Sequence, residues 1–503
     1  MKHFIIIALL FLLISTATSQ EIPKFGGTLK VGLTADLATV YPWQMTDMET
    51  VFVLENVYEP LIRLKKDSAA IEPCLATDWS PSSDFKVWTL HLRKNVKFHD
   101  GSTFNADAVL SSILLMQTFP AKAKKIDNYT VSFILDKPNT AFAITLSMEY
   151  YSIVSPATIK CFNDKEKCKT PVISGTGPFK FISWEPDKQI VLRANENYWG
   201  GKPYLNEAVF IPFNENESLV RALQNKTIHL SHGILPNNIA EIRKTPFLIF
   251  QSRPAMTLGY LGFNNEKSPF TNKKVRIALA HAINKVELVK KYFYNGQAGV
   301  AAKSCLPPPM FGYFKEMPDR EYNPQKAKSL LNDAGYPNGF ETTLLPSPAV
   351  RPYLPDPLRI AEDLKRQLAA AGIKVTIIQA KSWSDFINTS NIGNFDLTLF
   401  GWIADTVDPN DFLTALLGTE TINQFNKVRW SNTQFDILLE KARIQNISAR
   451  QKTYEDAQKL FYQEMPFVPL FNAMQLAAWN EKVLGFTLHP ATRLFLQHIW
   501  LSD

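Results

Sequence analysis

Apolar and polar residues alternate with period two along Val87-Trp88-Thr89-Leu90-His91-Leu92, which predicts a half-buried strand. Gly26-Gly27 reads as a turn into a strand ending at Leu33, and Tyr129 to Leu135 reads as another strand. Phe179 to Trp184 and Ile190 to Arg193 predict a strand pair, and Ala208 to Phe213 a third strand. Helical spacing dominates elsewhere. Val51 to Leu64 mixes apolar and acidic residues at that spacing, and Asn105 or Ala106 opens a helix running to Met116. Further helices are predicted over Ser218 to Gln224 and Lys274 to Asn284; in the second, Val275, Ala278, Leu279 and Ala282 share one face.

The second half of the chain carries the clearest α/β unit. Asp356-Pro357 suits a helix start, Ile360, Leu364 and Leu368 form one stripe, and Gly372 suits the stop. Strands follow over Lys374 to Ile378 and Asp396 to Trp402, with a short helix from Trp383 between them. Ser448 is placed to cap a long helix that Pro466 ends, and Leu258 to Phe263 reads as a strand crossing between lobes. The chain therefore reads as α/β in two lobes with discontinuous segments, with an α+β module inserted over residues 53–174.

Residues 1–19 read as a Sec-type signal peptide. Lys2 precedes the apolar run Phe4 to Ile14, and Ala17 and Ser19 are spaced for cleavage after Ser19. That run is short for a membrane span. No cysteine follows it, which argues against a lipid anchor and for a mature chain free in the periplasm. Composition adds little: 46% hydrophobic and 20% charged residues are ordinary for a globular protein. A net charge of +7 spread along 503 residues, densest at Lys122-Ala123-Lys124-Lys125, reads as a solvated face rather than a nucleic-acid surface. Cys161 and Cys168 lie close together in a polar loop, so an oxidising compartment favours a disulfide there, with Cys74 and Cys305 as buried thiols.

Tests for chemistry are negative in the sequence. No Gly-x-Ser-x-Gly elbow, phosphate-cradling loop or dinucleotide fingerprint is present, and no cofactor is expected. His229 and His232 lack the Glu and spacing of a zinc protease helix and read as structural or surface residues. Asp405 and Asp408 could in principle act as acid and base, which keeps a secreted hydrolase as the alternative from another class.

Several segments together resemble the extracytoplasmic solute receptors of peptide ABC transporters, the dipeptide- and oligopeptide-binding family. They are Val57-Tyr58-Glu59-Pro60-Leu61, Pro73-Cys74-Leu75-Ala76-Thr77-Asp78-Trp79, and the stretch from Trp88 to Gly101 continuing to Phe104-Asn105-Ala106-Asp107. Gly175-Thr176-Gly177-Pro178-Phe179, Asn197 to Tyr204 and Pro307 to Tyr313 continue the likeness in order along the mature chain. It implies a non-catalytic, two-lobed, hinged α/β receptor, monomeric, that captures short peptides, dipeptides foremost, and hands them to the permease of an ABC transporter. By the same likeness the first lobe combines residues 20–52, 175–253 and 477–503, the extra α+β module is 53–174 and the second lobe is 254–476.

The resemblance also implies the anchors. Gly401-Trp402-Ile403-Ala404-Asp405 looks like the segment whose aspartate holds a peptide's α-ammonium. Arg351-Pro352-Tyr353-Leu354-Pro355 looks like the segment whose arginine holds the α-carboxylate. A short peptide is a zwitterion, so a carboxylate and a guanidinium at fixed separation would read both its ends. Trp402, Tyr353 and Gly401 are expected beside the ligand and Asp408 as a neighbour, although Asp408 before Pro409 also suits a helix cap. Two departures stand out: the stretch from Met116 to Ile126 is short, and no cysteine pair follows Thr419. The family also includes receptors for haem, nickel complexes, sugars and antimicrobial peptides, so the same fold could serve another solute.

Overall fold

The computed structural model describes residues 22–116, 119–164, 166, 168–404 and 406–502. The signal-peptide expectation, residues 1–19, lies outside them. Strand β1 (Thr28–Leu33) leads into α1 (Met48–Leu54), capped by Asp47 accepting the Thr50 N–H. A four-stranded antiparallel sheet follows, made of β2 (Ala76–Pro81), β3 (Val87–Leu92), β4 (Lys122–Asp127) and β5 (Thr130–Ile134) in the order β2-β3-β5-β4. The helix α2 (Ala106–Ile113) is capped by Asn105 and ends before Met116. The lysine cluster at 122–125 is edge strand β4, an element the sequence pattern did not suggest. Its exposed lysines are charges of the kind that discourage edge-to-edge pairing. Cys161 and Cys168 form a disulfide, with Cα atoms 5.2 Å apart.

The principal sheet has twelve strands. Besides β1 it contains β6 (Phe179–Glu185), β7 (Gln189–Ala194), β8 (Glu207–Pro212), β9 (Leu230–Ser231), β10 (Leu248–Pro254), β11 (Thr257–Phe263) and β12 (Gly299–Ala301). It is completed by β13 (Phe340–Pro346), β14 (Ile373–Ile377), β15 (Leu397–Ile403) and β16 (Phe467–Asn480). The order is β14-β13-β15-β11-β16-β9-β1-β8-β7-β6, with β10 and β12 also paired to β16. Among the helices that cover the second half are α3 (Pro357–Ala369), α4 (Trp383–Asn391), α5 (Pro409–Leu417) and α6 (Thr433–Arg443). Another, α7 (Ile447–Glu464), is capped by Asn446 rather than Ser448, because the Asn446 side chain accepts the Ala449 N–H at 3.1 Å.

Strand β16 joins the two halves. Its N-terminal part pairs with β11 and β12, and its C-terminal part with β10 and β9. The 476/477 boundary read from sequence thus falls within one continuous strand.

The motifs shared with peptide receptors meet in one buried knot. Glu59 is fully enclosed and accepts from Tyr198 Oη at 2.6 Å, Thr176 Oγ1 at 2.7 Å and Trp199 Nε1 at 2.8 Å. Burial raises the Glu59 pKa, and these hydrogen bonds oppose the rise. Arg93 lies 4.1 Å over the Trp199 ring, and His99 Nε2 meets the Gly177 carbonyl at 2.9 Å. Gly175 and Gly177 are required by contact: a Cβ on either would lie 2.0 or 2.7 Å from the Val57 carbonyl oxygen. These segments fasten the module to β1 and its neighbours through a continuous apolar core that includes Leu29, Val57, Trp88 and Phe179.

Candidate functional site

The loop leaving β13 makes a tight turn. The Arg351 N–H donates to the Leu354 carbonyl at 3.1 Å, and the Leu354 N–H returns to the Arg351 carbonyl at 2.8 Å. Tyr353, 4% exposed, anchors this turn onto two glycines. A Cβ at Gly401 would sit 2.4 Å from two Tyr353 ring carbons and 2.3 Å from the Leu258 carbonyl oxygen. One at Gly259 would sit 2.6 Å from the Tyr353 carbonyl oxygen. Gly401 therefore acts by letting the turn lie flat on β15. Burial pushes the Tyr353 hydroxyl up to about 12, against the opposing influence of the Arg351 charge, so it stays protonated at neutral pH.

With its backbone fixed, Arg351 projects its guanidinium 4.8 Å over the Trp383 ring at the start of α4. No carboxylate among the described residues pairs with Arg351. Stacking on Trp383 and a hydrogen bond to the Tyr353 hydroxyl hold the cation in place. Trp383 is itself 39% exposed, so the pair borders solvent.

Trp402 points to the opposite face of β15 from Gly401, as neighbouring strand residues must. It is half-buried and meets Phe425 edge-on at 5.7 Å, with Phe425 48% exposed. The sequence reading of Trp402 found no partner for it, and Trp383 and Phe425 were missed altogether. Exposed aromatics are invisible to a pattern that registers only periodicity.

Asp405 lies outside the described residues. Asp408 is placed clearly, and its surroundings differ from those of an open ligand anchor. It is 1% exposed, caps α5 by accepting the Asn410 N–H at 2.9 Å, and receives Arg450 on both oxygens at 2.8 and 2.6 Å. The same guanidinium nitrogen donates to Tyr454 Oη at 2.7 Å. Asp408 thus carries the helix-cap role, and a ligand ammonium would have to displace Arg450 to reach it. Asp411, one turn later, is exposed; crowding by surrounding protein and the nearby Asp408 charge raise it to about 6, opposed by the Thr406 hydroxyl at 3.0 Å.

His229 and His232 go separate ways. His229 Nδ1 accepts the Lys30 N–H at 3.2 Å. His232 stacks on Phe52 at 4.6 Å and meets Phe486 edge-on at 5.4 Å, with both ring nitrogens buried and unpartnered.

Two half-sheets joined by crossing strands, with a guanidinium at the strand ends of one half that no carboxylate among the described residues pairs, make a hinged solute receptor. Residues 70–424 match the model for bacterial extracellular solute-binding proteins, family 5 (middle region), and the chain belongs to that family. It is 33% identical over 472 residues to heme-binding protein A of Haemophilus influenzae, covering 87% of this chain and 85% of the relative. It is 29% identical over 478 residues to the dipeptide-binding protein of Escherichia coli, covering 88% of each. Among solved structures, HbpA2 from Haemophilus parasuis superimposes with a TM-score of 0.89 at 30% identity, covering 95% of this chain and all of that one.

Proposed function

We propose that this receptor captures short peptides, dipeptides foremost, in the cleft between its two lobes and delivers them to the permease of an ABC transporter. The Arg351 guanidinium, stacked on Trp383 and paired with no carboxylate among the described residues, is the observation that carries this reading. A charge-assisted bidentate bond to a peptide's terminal carboxylate contributes about 1.5–3 kcal/mol. Stacking before the ligand arrives reduces the ordering cost, about 0.5–1.5 kcal/mol for a long side chain. In this reading Asp405 takes the α-ammonium, Asp408 stiffens the loop behind it, and Trp402 with Phe425 forms an apolar wall for side chains. The chain is exported by residues 1–19 and works as a monomer in the periplasm. The likeness to a dipeptide-binding protein supports the reading. Titration calorimetry with a dipeptide set tests it. Heat of binding from dipeptides, and none from their C-terminal amides, is expected; a wild-type protein silent to every free-carboxylate peptide would remove the proposal.

A second reading is favoured by the exposed Trp383 under the Arg351 guanidinium and by the half-buried Trp402 meeting the exposed Phe425. A flat ring system bearing carboxylates, haem being the case suggested by the first relative's name, could use the same groups. Absorbance titration with haem, in competition with dipeptide, separates the two readings.

A further inference from the structure

Phe400 and Trp402, two residues apart, share one face of β15. On that face Phe400 meets Trp383 at 6.1 Å and Phe386 at 5.3 Å, both from α4, and Trp402 meets Phe425 at 5.7 Å. Phe425 belongs to the loop between α5 and α6. Its ring is 48% exposed, yet its backbone is held on both sides. The Phe425 N–H donates to the Thr421 carbonyl at 3.0 Å, and its carbonyl accepts the Lys427 N–H at 2.8 Å. The preceding carbonyl, that of Gln424, accepts Lys427 Nζ at 2.6 Å. One lysine thus grips the chain before and after the ring.

Placing a lysine there is unfavourable in itself. Lys427 is 4% exposed, its ammonium meets no carboxylate among the described residues, and burial pushes it down to about 8. Its remaining contact is the side-chain oxygen of Asn391, the last residue of α4. The Asn391 backbone carbonyl accepts Arg429 Nη1 at 2.9 Å, and Arg429 goes on to Glu266 at 2.5 Å and Asn423 Oδ1 at 2.6 Å. Asn426 closes the loop by donating to the Gly418 and Trp430 carbonyls at 3.0 and 2.9 Å. No cysteine lies between Gly418 and Trp430, so these polar contacts do the fastening. The other end of α4 is Trp383, the ring under Arg351. What the buried ammonium secures is therefore an aromatic ring at the surface, braced on the helix that also carries the guanidinium stack. We infer that Lys427 is a positioning residue that sets Phe425 against Trp402, and that the Phe425 ring selects ligands with apolar side chains. The positioning stands on these contacts; the selection rests on the peptide reading above.

Both parts are testable on the full-length receptor. A fluorophenylalanine placed at Phe425 reports the surroundings of the ring by fluorine NMR without ligand. Calorimetry with leucyl-phenylalanine and with glycyl-glycine reports the selection. Lys427→Met removes the ammonium and keeps an unbranched side chain. The expected result is a shifted or broadened fluorine resonance. Leucyl-phenylalanine affinity should fall about five- to ten-fold, the scale of one aromatic contact, with glycyl-glycine affinity within about two-fold of wild type. Phe425→Ala should reproduce the selective loss. Asn391→Ala removes one acceptor from outside the loop and should give the same changes on a smaller scale, so a Lys427→Met protein that fails to fold leaves the test in place. An unchanged resonance in these variants would overturn the positioning role. Equal losses for the two dipeptides, or a shifted resonance with unchanged affinities, would overturn the selection. A shifted resonance in a receptor whose wild type binds neither dipeptide would keep the positioning and remove the peptide reading.

Discussion

Asn472 donates its side-chain amide to the backbone carbonyl of Thr257 at 2.7 Å, while the Thr257 hydroxyl accepts the Ala473 N–H at 3.0 Å. Both residues are buried where the β10–β11 link runs beside the middle of β16, and Ala255 donates to the Ala473 carbonyl at 2.9 Å. This is where the two halves of the sheet share the long strand β16. Asn472→Ala would leave the Thr257 carbonyl without its partner, at a cost of about 1–3 kcal/mol. Urea denaturation should show that loss, and small-angle scattering should show a broader spread of lobe separations than in the wild type.

Arg351→Ala is expected to weaken dipeptide binding by roughly 10- to 150-fold, corresponding to one charge-assisted contact of about 1.5–3 kcal/mol. Arg351→Lys should recover only part of this, because an ammonium lacks the planar fork and stacks less well on Trp383. Calorimetry on both variants, with a ligand lacking a free carboxylate as the control, checks the assignment; equal losses for both ligand types would point to a fold effect.

Gly401→Ala tests the close approach of Tyr353. The added methyl would meet backbone and ring at 2.3–2.4 Å, so the turn carrying Arg351 must lift. Overpacking of this kind costs about 1–3 kcal/mol. A lower melting temperature together with weaker ligand binding is expected, and a crystal structure of the variant should show the Tyr353 ring displaced.

For Asp408 the expected signature is structural. Asp408→Ala strands the Arg450 charge in the interior, at about 3–5 kcal/mol. The double variant Asp408→Leu with Arg450→Met should be far milder than the single one, since no buried charge remains unpaired. Thermal unfolding of the three proteins measures this; a single variant as stable as the wild type would contradict the buried pair.

Burial alone pushes the His232 imidazole down to about 4, below its ordinary 6.5. The unfolded chain therefore takes up a proton first as pH falls, so this group's contribution is complete above pH 6.5 and is lost on descending towards pH 4. Since neither ring nitrogen has a partner, His232→Phe should cost little at pH 7 and should flatten the acid side of the stability profile. Melting temperatures from pH 7.5 to 4 for both proteins decide the matter. The His99 ring, also at about 4 but held to the Gly177 carbonyl, should not tolerate the same replacement.

The second-half α/β unit was readable because its strands and helices each bury one face: the stripe Ile360, Leu364 and Leu368 is fully enclosed in α3. β16 was not readable, because nearly every residue from Phe467 to Asn480 is buried and alternation disappears. β4 failed for the opposite reason, its lysines masking an edge strand. The Glu59 knot shows a different limit. Its residues stood out as family motifs, yet nothing in their spacing tells a fastening from a binding site. At the proposed anchor, sequence located the Arg351 segment and could not see that Trp383 stacks on the guanidinium. It offered Asp408 both as a lower-ranked ligand neighbour and as a helix cap, and its contacts with Arg450 and α5 are those of the cap.

The placement of β16 has a consequence for biosynthesis. This strand pairs with β9, β10, β11 and β12 and follows all four in the chain, so each of them is made before it can enter the sheet. Until then, β11 lacks its neighbour in the centre of the sheet, and β10 has no other partner strand among the described residues. Both halves of the sheet are therefore completed late in synthesis, and a break within β16 should be far more damaging than its length would suggest.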